Sequence, residues 1–172
     1  NIGARTINLF EAGFADTRPF QSLKLGPFTL APGATALVVK NRIAFAARYG
    51  AAQSGRSAGE WVDGSLDDSG ETIALVARDG ATIQLFAYNC AGAWPGRTDG
   101  KGSSLEYVGT GFADADMNAA DNWRSSPEIH GTPGTAATEP EAAVVINELL
   151  TQTSLPYLDA VELRNRTASP VD

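Results

Sequence analysis

The strongest periodic signal in the chain is a pair of short segments in which apolar and more polar side chains alternate. Residues 72–78 and 81–88 both follow this period of two, which places successive side chains on opposite faces of a β-strand. Asp79 and Gly80 lie between the segments, and an Asp-Gly pair tolerates the positive φ angles of a type I′ turn. The pattern predicts a β-hairpin with Gly80 at its tip and at positive φ.

The segments before and after this hairpin are also short. Residues 34–40 predict a half-buried strand, residues 104–108 predict another, and residues 43–49 predict two helical turns. Asn41 is suited to cap that helix, and Gly50 is suited to end it. Because short strands outnumber helices, we expect an all-β fold, a β-sandwich with one short helix.

The composition changes in residues 111–140, where Asp and Asn lie among Ala, Gly and Pro. The second half of this stretch has the composition of a linker. Apolar β character returns in residues 144–150 and, after a loop, in residues 160–163. Two strands do not make a domain, so these strands need a partner sheet.

Charge and apolar run length exclude several functional classes. The chain has 13 Lys and Arg against 20 Asp and Glu, a net charge of −7, and its basic residues are scattered. Nucleic-acid binding uses clustered basic residues, so we expect no nucleic-acid partner. No apolar run exceeds five residues, the length of residues 142–146, which is far shorter than the roughly 18 residues of a spanning helix, so we expect no membrane span. The single cysteine, Cys90, excludes an intrachain disulfide.

Several short motifs occur in a recognisable order. The last two predicted strands contain Val145-Ile146-Asn147-Glu148 and Asp159-Ala160-Val161-Glu162-Leu163-Arg164-Asn165. The body contains Leu30-Ala31-Pro32-Gly33, Gly64-Ser65-Leu66-Asp67-Asp68-Ser69-Gly70-Glu71, Trp94-Pro95, Asp99-Gly100, Asn122-Trp123 and Gly131-Thr132-Pro133-Gly134. Together these motifs resemble the lamin tail domain, whose opening two strands are similar to the last two here. The resemblance covers nearly the whole chain and implies an immunoglobulin-like β-sandwich.

The strand order is rotated relative to that family. Asn1-Ile2-Gly3-Ala4 and Asn165-Arg166-Thr167-Ala168 both occupy the place that follows the second strand of a lamin tail domain, which is typical of one period cut from a tandem repeat. We therefore predict a body at 1–131 and a linker at 132–143. Residues 144–172 would then hold the first two strands of the next repeat or the strands that complete this sandwich. A single domain with a C-terminal extension is the alternative.

The position of the last two strands implies a partner for them. A sandwich that lacks two strands exposes unpaired edges and one side of its core. Residues 144–165 are apolar enough to fill such a gap, in the same chain or in an identical copy by strand exchange.

Two acidic clusters are candidate calcium sites, because Ca²⁺ takes carboxylate and amide oxygens as ligands. The first cluster lies in the polar segment before the hairpin and consists of Asp63, Asp67, Asp68 and Glu71. A polar loop between strands is the competing interpretation.

The second cluster, Asp114, Asp116 and Asn118, has the alternating oxygen spacing of a calcium loop. The rest of an EF-hand is missing, since Ala119 stands where the loop needs Gly and Ser125 stands where it needs Glu. A solvated turn or a helix cap is the competing interpretation of these three residues.

Residue types that carry catalysis are sparse. The only histidine, His130, precedes a Gly-Thr-Pro loop and is typical of a surface position. Paired carboxylates can hydrolyse glycosides, but the acidic residues here lie mostly in turns, where they are solvated. Trp61, Trp94 and Trp123 are suited either to bind a sugar or to anchor loops on the core, and the second is commoner in a small sandwich. We therefore predict no catalytic residues.

Together these features favour a non-catalytic structural or adhesive module of an extracellular or cell-surface multidomain protein, acting through protein–protein contacts. The resemblance implies the same setting, since lamin tail domains outside the nucleus resemble accessory modules of large secreted or surface-attached bacterial proteins. Neighbouring modules of the same polypeptide would be the partners, and no cofactor other than calcium is expected. The alternative is an accessory domain that targets a secreted hydrolase to carbohydrate or another polymer.

Overall fold

The structure is a computed structural model that describes residues 1–15, 20, 23–61, 63–135, 144–151, 159–166 and 170. The chain divides into two compact units, Asn1–Ala137 and Thr138–Asp172. The first unit contains β1 (Ile7–Asn8), β2 (Gly13–Phe14), β3 (Thr29–Leu30), β4 (Leu37–Val39), α1 (Arg42–Tyr49), α2 (Ala51–Ser54), β5 (Ser57–Glu60), β6 (Thr72–Val76), β7 (Thr82–Ala87), β8 (Ser103–Tyr107), α3 (Asp114–Met117), a 3₁₀ turn (Ala120–Asn122) and β9 (Trp123–Ile129). The second unit contains β10 (Val144–Leu150) and β11 (Ala160–Asn165).

Hydrogen bonds join these strands into small sheets. β2, β6 and β7 form a three-stranded antiparallel sheet, and β1–β3, β8–β9 and β10–β11 are antiparallel pairs. The described chain is mainly β, as the sequence predicts, but the prediction of one short helix is wrong. Two further short helices form, because the Ala-rich residues after Gly50 continue as α2 and residues 114–117 form α3.

β4 and β5 pair in parallel, which the pattern of apolar residues does not predict. Parallel neighbours need a crossover connection, and α1 with α2 supplies it here. At the start of α1, Asn41 Oδ1 accepts a hydrogen bond from Ala44 N at 2.8 Å, and Gly50 ends the helix at φ 86°. The predicted cap residues at both ends of α1 are confirmed.

The predicted central hairpin is present as β6 and β7. Gly80 has φ 87°, as expected, but the turn is not type I′, because Asp79 is not among the non-glycine residues with positive φ in the described chain. Gly80 N donates to Ala77 O at 3.0 Å, and Ala77 N donates to Ala81 O at 2.8 Å. These bonds close a three-residue turn in which Gly80 alone takes the left-handed conformation.

β9 lies in the stretch for which the sequence predicts no strand. Its residues Arg124, Ser125 and Ser126 are buried, although all three are polar. Ser126 Oγ accepts a hydrogen bond from Ser104 N and donates one to Glu128 O, both at 2.8 Å. A buried polar group is tolerated when it is hydrogen bonded, which is why a strand without apolar alternation can be buried here.

An aromatic cluster anchors β9 on neighbouring elements. Trp123 has ring-centroid distances of 5.4 Å to Phe86, 5.1 Å to Tyr107 and 6.0 Å to Trp94. Its indole N–H donates to Met117 O at 2.7 Å. Trp94 and Trp123 therefore pack against other side chains of the first unit, which fits the loop-anchoring interpretation of the sequence.

Candidate functional site

A groove of about 900 Å³ opens within the first unit. Four segments line it: the end of β4 with one face of α1, the end of β5, β8, and the turn at 130–135. These segments come from two different two-stranded sheets and the crossover helix, so the groove is a product of the tertiary fold.

The helix wall of the groove is aromatic. Phe45 and Tyr49 are four residues apart on α1, so they lie on the same face, and their ring centroids are 4.6 Å apart. Tyr49 OH donates to His130 O at 2.6 Å, which ties the end of α1 to the turn at 130–135. The helix therefore presents a fixed apolar surface to the groove.

The opposite wall contains a buried ion pair. Glu106 Oε2 lies 3.5 Å from Arg124 Nε, and the two side chains are only 11% and 7% exposed. Glu106 Oε1 accepts a hydrogen bond from Thr132 Oγ1 at 2.7 Å. Since a desolvated charge is costly unless it is paired, Glu106 and Arg124 hold each other in place, and Thr132 fixes the turn on the same carboxylate.

The remaining charges at the groove are balanced. Glu60 Oε1 accepts a hydrogen bond from Arg42 N at 3.1 Å at the start of α1, where a carboxylate is favoured by the helix dipole. Lys40 lines the same region. The walls therefore offer no excess of either charge to a ligand.

Two features of the groove cost free energy: an unpaired buried N–H group and a strained backbone conformation. Trp61 packs edge-on against Phe20 at 5.2 Å, and its buried Nε1 has no hydrogen-bond partner among the described residues. His130 has φ 79°, a left-handed conformation that non-glycine residues rarely adopt, and Gly131 follows at φ 78°. Unpaired buried donors and backbone strain both occur preferentially at binding sites.

The first predicted calcium cluster is a hydrogen-bonded turn. Asp67 Oδ1 accepts hydrogen bonds from Ser69 Oγ at 2.5 Å and Ser69 N at 2.8 Å, which lower the pKa of Asp67 below its ordinary value. Asp67 N donates to Glu71 Oε1 at 2.9 Å. Asp63 and Asp68 lie in the same exposed segment.

The side chain of Tyr88, the residue directly after β7, connects this turn to the end of that strand. Its hydroxyl lies 2.7 Å from Asp67 O and 3.0 Å from Glu71 Oε1, two acceptors that share its single proton. Burial raises the pKa of Tyr88 above its ordinary value, and the hydrogen bond to Glu71 raises it further. The cluster thus stabilises a loop between strands, and calcium binding by its carboxylates stays a prediction.

The second predicted cluster lies along the outer edge of β7. Asp114 Oδ1 accepts a hydrogen bond from Leu85 N at 2.9 Å, and Asn118 Oδ1 accepts one from Ala87 N at 2.8 Å. Asp116 Oδ2 accepts one from Ala113 N at 3.1 Å at the start of α3. These side chains supply acceptors for an edge strand and a helix start, and calcium binding stays a prediction here as well. Among the described residues, no three His, Cys, Asp or Glu side chains are grouped to hold a metal ion.

The second unit presents a different kind of candidate site. β10 and β11 pair antiparallel with a bulge between Ile146 and Glu148, and Asn147 is the additional residue. Paired residues share a face of the sheet, and the bulge shifts the register so that apolar residues remain on one face. That face, here called the hairpin face, consists of Val144, Ile146, Leu149, Val161 and Leu163, which are 39–65% exposed.

The opposite face of the same hairpin is mixed. Its paired positions hold three charged and three apolar residues, Glu148, Glu162, Arg164, Val145, Leu150 and Ala160. Asn147 Nδ2 donates to Glu162 Oε1 at 2.5 Å. The apolar side chains are therefore more concentrated on the hairpin face, whose paired positions are all apolar except Asn165.

The sequence predicts residues 144–165 as an association segment, but it does not predict the groove. The spacing of Asn41, Phe45 and Tyr49 on one helical face is the only local signal for the groove. The first residues of the predicted linker, 132–135, belong to the groove wall, and residues 136–143 lie outside the described residues.

The chain matches no family model, no curated protein and no solved structure. Among the described residues, no helix has the length and apolar character needed to cross a bilayer.

Proposed function

We propose that this chain is a non-catalytic structural or adhesive module that associates with neighbouring modules through the hairpin face. The observation that carries the proposal is the set of five exposed apolar side chains on one side of β10 and β11. A two-stranded hairpin is at best marginally stable alone, and a contiguous apolar patch marks an association surface. Neighbouring modules or identical copies would cover that face.

The proposal includes the setting that the resemblance implies. We propose an immunoglobulin-like sandwich similar to a lamin tail domain, as part of an extracellular or cell-surface protein. The order of motifs along the chain and the predominance of antiparallel strands support this.

The carboxylates of the groove support a non-catalytic role. Glu106 is held by Arg124 and Thr132, and Glu60 accepts a hydrogen bond from the start of α1. Both side chains thus already stabilise the walls of the groove. These existing contacts favour a structural role for both carboxylates over proton exchange with a substrate.

Sedimentation equilibrium of the full chain tests the proposal. We expect the wild-type chain to associate reversibly as its concentration rises, and Ile146→Thr/Leu163→Thr to remain monomeric, because two polar groups interrupt the hairpin face. Ile43→Thr is the matched control, since Ile43 is 84% exposed but lies on α1. A wild-type chain that stays monomeric, or an equal effect of Ile43→Thr, would contradict the proposal.

A further inference from the structure

The two strands that border the groove each have a single hydrogen-bonded neighbour among the described strands. β4 pairs only with β5, and β8 pairs only with β9. Each therefore has one edge whose backbone N–H and C=O groups are available to another strand. The direction of these edges follows from the bonds that the strands already make.

In β4, the odd-numbered residues face β5. Leu37 N donates to Arg56 O at 2.9 Å, and Val39 O accepts from Trp61 N at 3.0 Å. Successive residues of a strand direct their backbone groups to opposite sides, so Val38 and Lys40 direct theirs away from β5. Both of these residues line the groove.

In β8, the even-numbered residues face β9. Ser104 N donates to Ser126 Oγ, and Val108 N donates to Asn122 O, both at 2.8 Å. The backbone groups of Leu105 and Tyr107 are therefore directed away from β9. These residues also line the groove, so unpaired strand edges from two different sheets border the same space.

We propose that this groove is the acceptor for an extended strand of a second copy of the chain, added by backbone hydrogen bonds to the β8 or β4 edge. Strand addition at a free edge is an established mode of peptide recognition, in which the main chain supplies affinity and alternate side chains supply specificity. The groove offers Phe45 and Tyr49 as an apolar wall for those side chains.

The occupant that best fits is the β10–β11 hairpin of the second copy. It has the exposed apolar hairpin face, and each of its two strands has one edge without a hydrogen-bonded neighbour among the described strands, as strand addition requires. The inference rests on the proposed function, in which the hairpin face is the association surface, and adds the surface that receives it.

Amide hydrogen exchange of the full chain at low and high protein concentration tests this directly. We expect exchange at Val38, Lys40, Leu105 and Tyr107 to slow by about tenfold or more at high concentration, because these amides gain acceptors. Ala44→Trp should abolish the effect, since Ala44 is exposed and lines the groove.

The matched control is Ala47→Trp, which places the same ring at an exposed position of α1 that does not line the groove. It should leave the concentration dependence unchanged.

Three results would overturn the inference. If the chain associates but these four amides exchange at the same rate, the groove is not the acceptor, whereas the proposed function stands. If protection is present but independent of concentration, the occupant is not a second copy. If Ala47→Trp acts as strongly as Ala44→Trp, the effect is not specific to the groove. A chain that does not associate at all contradicts the proposed function itself.

Discussion

β9 buries polar side chains, whereas the β10–β11 hairpin exposes apolar ones, and both are the opposite of what polarity alone predicts. β9 reads Trp-Arg-Ser-Ser-Pro-Glu-Ile, yet Arg124, Ser125 and Ser126 are 6%, 2% and 0% exposed. In the hairpin, Ile146 and Leu163 are apolar and yet 62% and 65% exposed.

The difference lies in the partners that each region has. Every buried polar side chain costs free energy unless it is bonded, and Arg124 and Ser126 have an ion-pair or hydrogen-bond partner within the first unit. The hairpin face has apolar side chains whose favourable burial requires a surface from elsewhere. β9 thus has its partners within the first unit, whereas the hairpin face would be covered only by the association proposed above.

The largest expected effect comes from breaking the polar interior of β9. Arg124→Met removes the cation beside the buried Glu106 carboxylate, so the first unit should lose on the order of 3 kcal/mol of unfolding free energy. Urea unfolding followed by tryptophan fluorescence measures this, since all three tryptophans lie in the first unit.

The matched control for Arg124→Met is Arg78→Met. Arg78 pairs with Glu11 at 2.6 Å, but the two side chains are 70% and 41% exposed, so its removal should cost no more than about 0.5 kcal/mol. Equal losses from the two variants would show that burial of the Glu106 pair is unimportant.

A smaller effect is expected at Ser126. Ser126→Ala leaves Ser104 N without its acceptor, which should cost about 1–3 kcal/mol in the same unfolding experiment. Leu163→Ser, which places a hydroxyl on the exposed hairpin face, should leave the unfolding of the first unit nearly unchanged. If Leu163→Ser were the more destabilising of the two, the contrast between the regions would be wrong.

The turn between β6 and β7 lies outside both β9 and the β10–β11 hairpin, so a substitution there gives a reference value for the loss of unfolding free energy. Gly80→Val should destabilise the first unit by about 1 kcal/mol or more, because Gly80 has φ 87° and a Cβ added there would meet no other atom within 4 Å, so backbone strain alone acts. Gly96→Val is the control, as Gly96 also has open space but no positive φ. Identical unfolding midpoints for the two variants would argue against the assigned turn.

The smallest expected effect concerns Asp67. Its folded-state pKa is lowered by Ser69, so its contribution to stability is present above the unfolded pKa and is lost as pH falls through the lower folded value. Ser69→Ala should move the pKa of Asp67 back towards 3.8, measured by NMR titration of the carboxyl carbon. An unchanged titration would mean that the Ser69 hydroxyl does not stabilise the carboxylate.

The sequence predicted the elements whose signals are local. The β6–β7 hairpin and the caps of α1 depend on residues a few positions apart, such as Asn41 with Ala44, so the pattern was sufficient for them. β9 and the parallel β4–β5 pair depend on partners far along the chain, which periodicity does not report. The spacing of Asp114, Asp116 and Asn118 predicts metal ligands. In the structure, Asp114 and Asn118 accept hydrogen bonds from an edge strand about 30 residues away.

The most direct test of the central claim is a dilution series of methyl NMR spectra on the full chain. The account predicts that the methyl resonances of Ile146 and Leu163 shift as concentration rises, because a second copy covers the hairpin face, whereas that of Ile43 does not move. Methyl shifts of Ile146 and Leu163 that are independent of concentration over the whole series would contradict it.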